Sequence, residues 1–306
     1  ATGGAAEGGS ASILGKPAIG EIQYSGEARG YTDVASLLDV LAKQKTLVDP
    51  YTGSVQEAEA AATGSGSTGG GQGYTFTATA NVIIHTGATP VLVDVRESDA
   101  NIDADLIERA ITPQTKVVLP VHIAGEPCDM DAIMDIASRH HLKVLEDAAH
   151  AIGTVYHGRQ CGSLSDAAAF SFYANKTMTT GEGGALATDD EEFSARVRRL
   201  TLHGMSRDAY NRYGAGGSWR YDIEEFGFKD NLTDIAAALG RSQLVRLEGF
   251  IEERTRVAQR YFANLRDEPD VILPAFTEEN RHPWHIFMIR VREGAAASRD
   301  DVIRGL

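Results

Sequence analysis

Between residues 74 and 245 the apolar positions switch repeatedly between two periods. TPVLVDV (89–95), KVVLPVHI (116–123) and LKVLED (142–147) are short apolar runs rich in β-branched residues, which predicts strands buried in a sheet. Between them, NIDADLIERAI (101–111), stopped by Pro113, and MDAIMDIASRHH (130–141) repeat at helical spacing. AAAFSFY (167–173) and ALATDD (185–190) predict two further strands, and EEFSARVRRLTLH (191–203) a further helix. Such alternation predicts βαβ units and a mainly parallel sheet. From residue 233 one period takes over. Ile235, Leu239, Leu247, Phe250, Ile251, Val257, Tyr261 and Leu265 predict a long helical run, weakened or bent at Gly240 and Gly249. After Pro269 comes a compact tail with one strand, WHIFMIRV (284–291), read as part of a small second domain.

Residues 1–73 break this pattern. They are rich in Gly, Ala, Ser and Thr, and six of the ten residues 64–73 are glycine, a linker-like composition. DVASLLDVLAKQK (33–45) is a helix candidate within that stretch. GSGSTG (64–69) formally satisfies a dinucleotide-binding glycine pattern, but the VQEAEAAAT before it does not read as the strand that pattern requires.

Composition narrows the function classes. The 306 residues are 42% apolar, an ordinary globular value. Lys plus Arg is 29 and Asp plus Glu is 43, a formal net charge of −14, which argues against partners with phosphate backbones or anionic lipid surfaces. The two cysteines, Cys128 and Cys161, match no metal-ligand spacing and fit two reduced thiols in a cytoplasmic protein. No metal site is expected: His140 and His141 are adjacent and point apart on a helix. The first residues show neither a basic nor an apolar leader region. No apolar run approaches the ~20 residues that span a bilayer.

In a parallel α/β sheet, ligands bind beyond the carboxyl ends of the strands. Asp147 lies at such an end, directly after KVLE, where it can cap the next element or pair with a buried cation. Lys176 follows the strand AAAFSFY and precedes a glycine-rich return containing Gly181, Gly183 and Gly184. A lysine at the mouth of a core strand is a candidate nucleophilic amine. Ser171 has its hydroxyl at the same end of that strand.

The run LEDAAHAIGTVYHGRQCGSLSDAAAFSFYANKTMTTGEGGALATDD (145–190) resembles the signature of the DegT/DnrJ/EryC1/StrS family. The resemblance continues through YTFTATANVIIHTGATPVLVDV (74–95), LTLHGMSRDAY (200–210) and FKDNLTDIAAALGRSQLVRLE (228–248). It implies the fold of the fold-type-I transferases that use pyridoxal 5′-phosphate (PLP): an α/β domain with a mainly parallel sheet of the seven-stranded type, and a smaller α+β C-terminal domain. On this reading residues 1–73 are an atypical segment, 74–248 the large cofactor domain and 249–306 a small domain cut short relative to the family. The implied activity moves an amino group from an amino acid, glutamate in this family, to a nucleotide-linked keto sugar, with the cofactor alternating between PLP and its amine form (PMP).

The implied roles are specific. Lys176 holds PLP through a Schiff base and then moves protons. Asp147 pairs with the pyridine nitrogen, His150 lies near the 3′ oxygen, and Phe76 stacks on the ring. Ser171 binds the phosphate, and Asn231 reaches the phosphate of a partner subunit's cofactor, which implies a homodimer. His203, in LHGM, falls near the active site in the family but has an equal claim to a packing role. The family's usual phosphate-binding turn has no clear counterpart in TGSGSTGGGQG (63–73). Two alternatives remain on the same fold: a non-catalytic nucleotide-sugar binding protein, and a PLP-dependent sugar dehydratase, against which Lys176 argues because such enzymes carry histidine there.

Overall fold

The computed structural model describes residues 77–206 and 222–305, all within a compact unit spanning residues 73–306. The helix candidate at 33–45, the glycine-rich run and Phe76 lie outside the described residues.

The central sheet is built from the runs that read as buried strands. Strands β1 (Val117–Val118), β2 (Lys143–Asp147), β5 (Ala167–Ser171) and β6 (Gly184–Ala187) pair in the order β1-β2-β5-β6. β1, β2 and β5 are parallel, with Val118 opposite Val144 and Asp147 opposite Ala169, and β6 returns antiparallel to β5 with Gly184 opposite Ser171. β1 is shorter than the predicted 116–123 because Pro120 has no N–H for the ladder. The chain nevertheless stays beside β2: Asp147 N donates to Pro120 O at 2.8 Å, and His122 N donates to Asp147 O at 3.1 Å. A small hairpin, β3 (Val155–Tyr156) with β4 (Arg159–Gln160), fills the link between β2 and β5.

Helices α2 (Ala104–Ala110) and α3 (Met130–Arg139) cover one side. α3 buries Met130, Ile133, Ile136 and Ala137 against Val118, Val144 and Ala168. Its start is fixed by Asp129, whose carboxylate accepts from Ala132 N at 3.1 Å. Asp103 caps α2 and Asp190 caps α4 (Glu191–Leu200) in the same way. Each cap contributes about 1 kcal/mol.

Three expectations need correction. The run 89–95 forms no strand among the described residues; it makes one isolated bridge, Val95 with Ile102, and leaves Leu92 77% exposed. Apolar pattern supplies the propensity, but a strand also needs a neighbour to complete its ladder, and none is described beside it. The long run after 233 is two helices, α5 (Asp234–Val245) and α6 (Leu247–Leu265), broken at Arg246 rather than at either glycine. Gly240 lies inside α5 because a Cβ there would come within 2.9 Å of Thr180 Cγ2. Of the predicted strand 284–291 only β8 (Arg290–Val291) forms, paired with β7 (Val271–Ile272), because the positive φ of 51° at Trp284 turns the chain out of an extended run. The chain then ends in a short helix, α7 (Arg299–Gly305).

His203 occupies a turn position with φ 59°, its N–H donating to Phe228 O at 2.7 Å, and its side chain is exposed. The next residue, Gly204, has φ 69°, and a Cβ there would sit 1.7 Å from Glu225 O. Gly204→Ala is therefore expected to destabilise the fold by at least about 2 kcal/mol. A urea midpoint equal to wild type would show that the turn does not need glycine.

Candidate active site

Side chains alternate along a strand, so Glu146 and Asp147 leave β2 on opposite faces. Glu146 is fully buried. Its carboxylate accepts from Gly162 N (2.9 Å), Leu164 N (3.3 Å), Ser165 Oγ (2.9 Å) and His122 Nε2 (3.0 Å). His122 Nδ1 accepts from Cys128 N at 3.1 Å, which leaves Nε2 to donate to Glu146. Burial pushes Glu146 upward, but these donors, His122 first, more than offset it and hold the carboxyl below its ordinary pKa. Cys161 Sγ lies near this pair, yet burial pushes its thiol strongly upward, and the hydrogen bonds already account for both partners. The group is a brace: it fixes β2 to the start of β5 immediately behind Asp147.

On the other face, Asp147 Oδ1 accepts from Ala149 N at 3.1 Å and Oδ2 accepts from Thr79 Oγ1 at 2.7 Å. Thr79 belongs to α1 (Thr77–His85), whose first residue follows Phe76.

Lys176 sits in the loop between β5 and β6. The loop is closed by Phe172 N to Gly183 O (2.8 Å), Thr180 N to Phe172 O (2.9 Å) and Lys176 N to Tyr173 O (3.0 Å). Thr179 Oγ1 adds a bond to Phe172 O at 3.2 Å and accepts from Gly181 N at 2.8 Å. Thr177, Met178 and Thr180 are buried beneath it. Glycine is required for the return: Gly183 has φ 151°, and a Cβ there would press on Thr180 Oγ1 (2.4 Å) and Leu232 Cδ1 (2.8 Å). Lys176 is half-buried, and that burial lowers its pKa, opposed by the negative charge of Asp147. Acid and amine thus lie within electrostatic reach of each other, and no direct ion pair joins them among the described residues.

His150 completes the group. Its Nδ1 accepts from Ala124 N at 3.2 Å, which leaves the proton on Nε2 as a donor. Burial first, and then the charge of Lys176, lower its pKa to about 4 against the opposing pull of Asp147. The ring therefore stays neutral near pH 7.

The His150 ring stands 4.7 Å from that of His285, in the C-terminal tail. Arg254 on α6 holds this segment by donating to Trp284 O (3.2 Å) and His285 O (3.4 Å). Gly125, at φ 107°, lets Pro283 pack where a Cβ would lie 2.8 Å from its Cγ. His285 Nδ1 is buried without a hydrogen-bond partner among the described residues. Burial, then His150 and Lys176, push its pKa down to about 3.

Asp147, Lys176 and His150 lie within electrostatic reach of one another. Ser171, half-buried at the end of β5, accepts weakly from Tyr173 N at 3.3 Å. Asn231 accepts from Lys229 Nζ and does not cap α5; Thr233 does, accepting from Ala236 N at 3.2 Å. No described contact links Asn231 to Lys176, although the neighbouring Leu232 lies against the lysine loop at Gly183. Two residues escaped the sequence reading. Thr79 stands three residues after Phe76 in the sequence, within a motif already quoted, and His285 is a histidine inside an apolar run. Two surface depressions of about 440 and 490 Å³, along α6 and at the end of α3, involve none of these residues.

The buried histidines make the fold acid-sensitive. His150 and His282 (both at about 4) and His285 (about 3) are depressed mainly by burial from the 6.5 of an open chain. Between about pH 6.5 and 4 the unfolded chain therefore binds three protons that the fold refuses, and stability falls as pH drops through that window. Glu126 acts oppositely. Burial, then Asp99, raise it to about 7, so the fold keeps a proton that the open chain releases above 4.5, which offsets one of the three. The melting temperature is expected to fall steadily below pH 6.5, and His282→Asn to make the slope shallower. A variant slope equal to wild type would show that His282 is not held neutral by the fold.

Comparisons with known proteins identify the family of the chain. Residues 72–306 match the family described as the DegT/DnrJ/EryC1/StrS aminotransferase family. The spore coat polysaccharide biosynthesis protein SpsC of Bacillus subtilis is 50% identical over 228 residues, 74% of this chain and 59% of SpsC. DesV of S. venezuelae, solved in complex with a ketimine intermediate, superposes with TM-score 0.67 at 37% identity over 76% of this chain and 58% of DesV. Spr1654 of Streptococcus pneumoniae, solved in a PLP form, gives TM-score 0.65 at 35% identity over 71% of this chain and 58% of its own. The chain thus spans somewhat under two thirds of the length of these relatives.

Proposed function

Since this chain belongs to the DegT/DnrJ/EryC1/StrS aminotransferase family, we propose that it is a PLP-dependent aminotransferase that moves an amino group from glutamate to a nucleotide-linked keto sugar. One observation carries the proposal: a half-buried lysine with a lowered pKa shares an electrostatic neighbourhood with a strand-end carboxylate without pairing to it. An amine kept partly neutral is nucleophilic, and an acid left unpaired is free for another cation. The donor set fits PLP. Asp147 offers a negative charge for a protonated ring nitrogen, and the His150 Nε2 proton is available for the ring's 3′ oxygen. Ser171 would reach the phosphate from the lysine loop, Asn231 would reach that of a partner subunit's cofactor, and Phe76 would stack on the ring. PLP, when bound, supplies the electron sink for removing a proton from the carbon that bears nitrogen.

The protein supplies the rest. Lys176 would attach the cofactor through its amine and, once freed by the incoming amine, would carry the proton between substrate and cofactor carbons. Asp147 holds the ring nitrogen charged, and His150, neutral near pH 7, donates without adding positive charge beside Lys176. A homodimer is part of this reading. Ile235 (86% exposed), Val245 (87%) and Phe226 (100%) leave apolar surface beside the Asn231 segment that a second copy would cover.

Incubation with PLP, L-glutamate and a panel of nucleotide-linked keto sugars tests the proposal. 2-Oxoglutarate should form in step with an amino sugar of matching mass. Sugar binding without 2-oxoglutarate would identify a binding protein, and loss of water without nitrogen transfer a dehydratase; either result overturns the assignment.

A further inference from the structure

Asp147 is steered by a residue far away in sequence. Thr79 Oγ1 donates to Oδ2 at 2.7 Å across 68 residues, a separation typical of a short hydroxyl-to-carboxylate bond. The last carboxylate torsion of an aspartate is broad, so one donor cannot fix the plane of the group. Here two donors act on two different oxygens, Ala149 N on Oδ1 and Thr79 on Oδ2. The Ala149 bond is local, within the turn after β2. Among the described residues, only the Thr79 bond ties the carboxylate to another element. The same bond acts on α1, which exposes Val82 (54%) and Ile84 (45%) and takes little anchorage from burial.

We propose that Thr79 is a positioning residue: its hydroxyl fixes the plane of the Asp147 carboxylate against the ring nitrogen of PLP and, through the same bond, anchors α1 to the end of β2. The inference rests on the PLP reading above and adds a residue that touches neither cofactor nor substrate. A carboxylate free to turn meets the ring nitrogen for only part of the time. Loss of the hydroxyl should therefore weaken cofactor binding and slow the proton step together, with the KM of the sugar unchanged.

Thr79→Val removes the hydroxyl at nearly constant shape, and Thr79→Ser keeps the hydroxyl while dropping the methyl. Three quantities are read for each: the PLP dissociation constant from fluorescence quenching, the pH midpoint of the visible band of the PLP-bound protein, and kcat and KM separately. The valine variant is expected to bind PLP about tenfold or more weakly, with a displaced band midpoint, a lower kcat and an unchanged sugar KM. The serine variant should return all three towards wild type. Wild-type values in the valine variant overturn the inference while leaving the PLP reading intact. Equal defects in valine and serine assign the effect to methyl packing and also overturn it. Absence of any PLP band in the wild type overturns the PLP reading and this inference with it.

Discussion

Asp147→Asn is expected to keep PLP attached while turnover falls on the order of a thousandfold, about 4 kcal/mol in the barrier. The amide is nearly the same shape: it keeps one oxygen for Ala149 N, the Thr79 hydroxyl can turn to accept from the new NH2 group, and β2 keeps its brace through Glu146. What disappears is the negative charge facing the ring nitrogen. Without it the ring is not held protonated, and the carbon centre that must lose a proton loses its electron sink. The defect should lie in kcat, with substrate KM values little changed, because the charge matters most when the proton leaves. Stopped-flow mixing of the PLP-bound variant with glutamate checks this: amine formation at wild-type speed would remove Asp147 from the chemistry.

The second large effect is Lys176→Ala, expected to lower turnover by about ten-thousandfold or more. Both of its jobs vanish together. No amine remains at the loop to attach PLP, and no base remains to carry the proton. The fold should tolerate the change, because the Lys176 side chain is half-buried without an ion pair among the described residues, while the loop closes through backbone and threonine bonds. A melting temperature near wild type alongside lost activity is therefore the expected pair of results. Added methylamine, small enough to enter the vacated space, offers a further check through partial return of the proton step.

How far the sequence alone disclosed this site depends on the range of the interactions involved. β2, β5 and β6 were readable because their apolar runs are short and bounded by turn residues; strand-mouth position marked Asp147 and Lys176 as candidates, and the family resemblance implied their roles. The helices were readable from their spacing, but the caps Asp103, Asp129 and Asp190 were not singled out, and α2 begins at Ala104, three residues after the predicted start. What escaped the reading is non-local. Thr79 acquires meaning from an acid 68 residues away, and His285 from His150, with which it shares no motif. The break at Arg246 gives no composition signal, whereas the glycines that suggested a bend at 240 and 249 are absorbed by the helices, Gly240 to admit the lysine loop. In the tail, one left-handed residue, Trp284, overrides an apolar pattern that would suit a strand.

Borohydride reduction of the PLP-incubated protein, followed by proteolysis and peptide mass mapping, tests the shared Asp147–Lys176 site most directly. Reduction freezes any Schiff base as a permanent pyridoxyl adduct. The adduct is expected on the single peptide containing Lys176, at about one per chain, and is expected to vanish in Lys176→Ala. An adduct of equal yield on another lysine, surviving that substitution, would contradict the assignment of this loop amine as the cofactor's anchor.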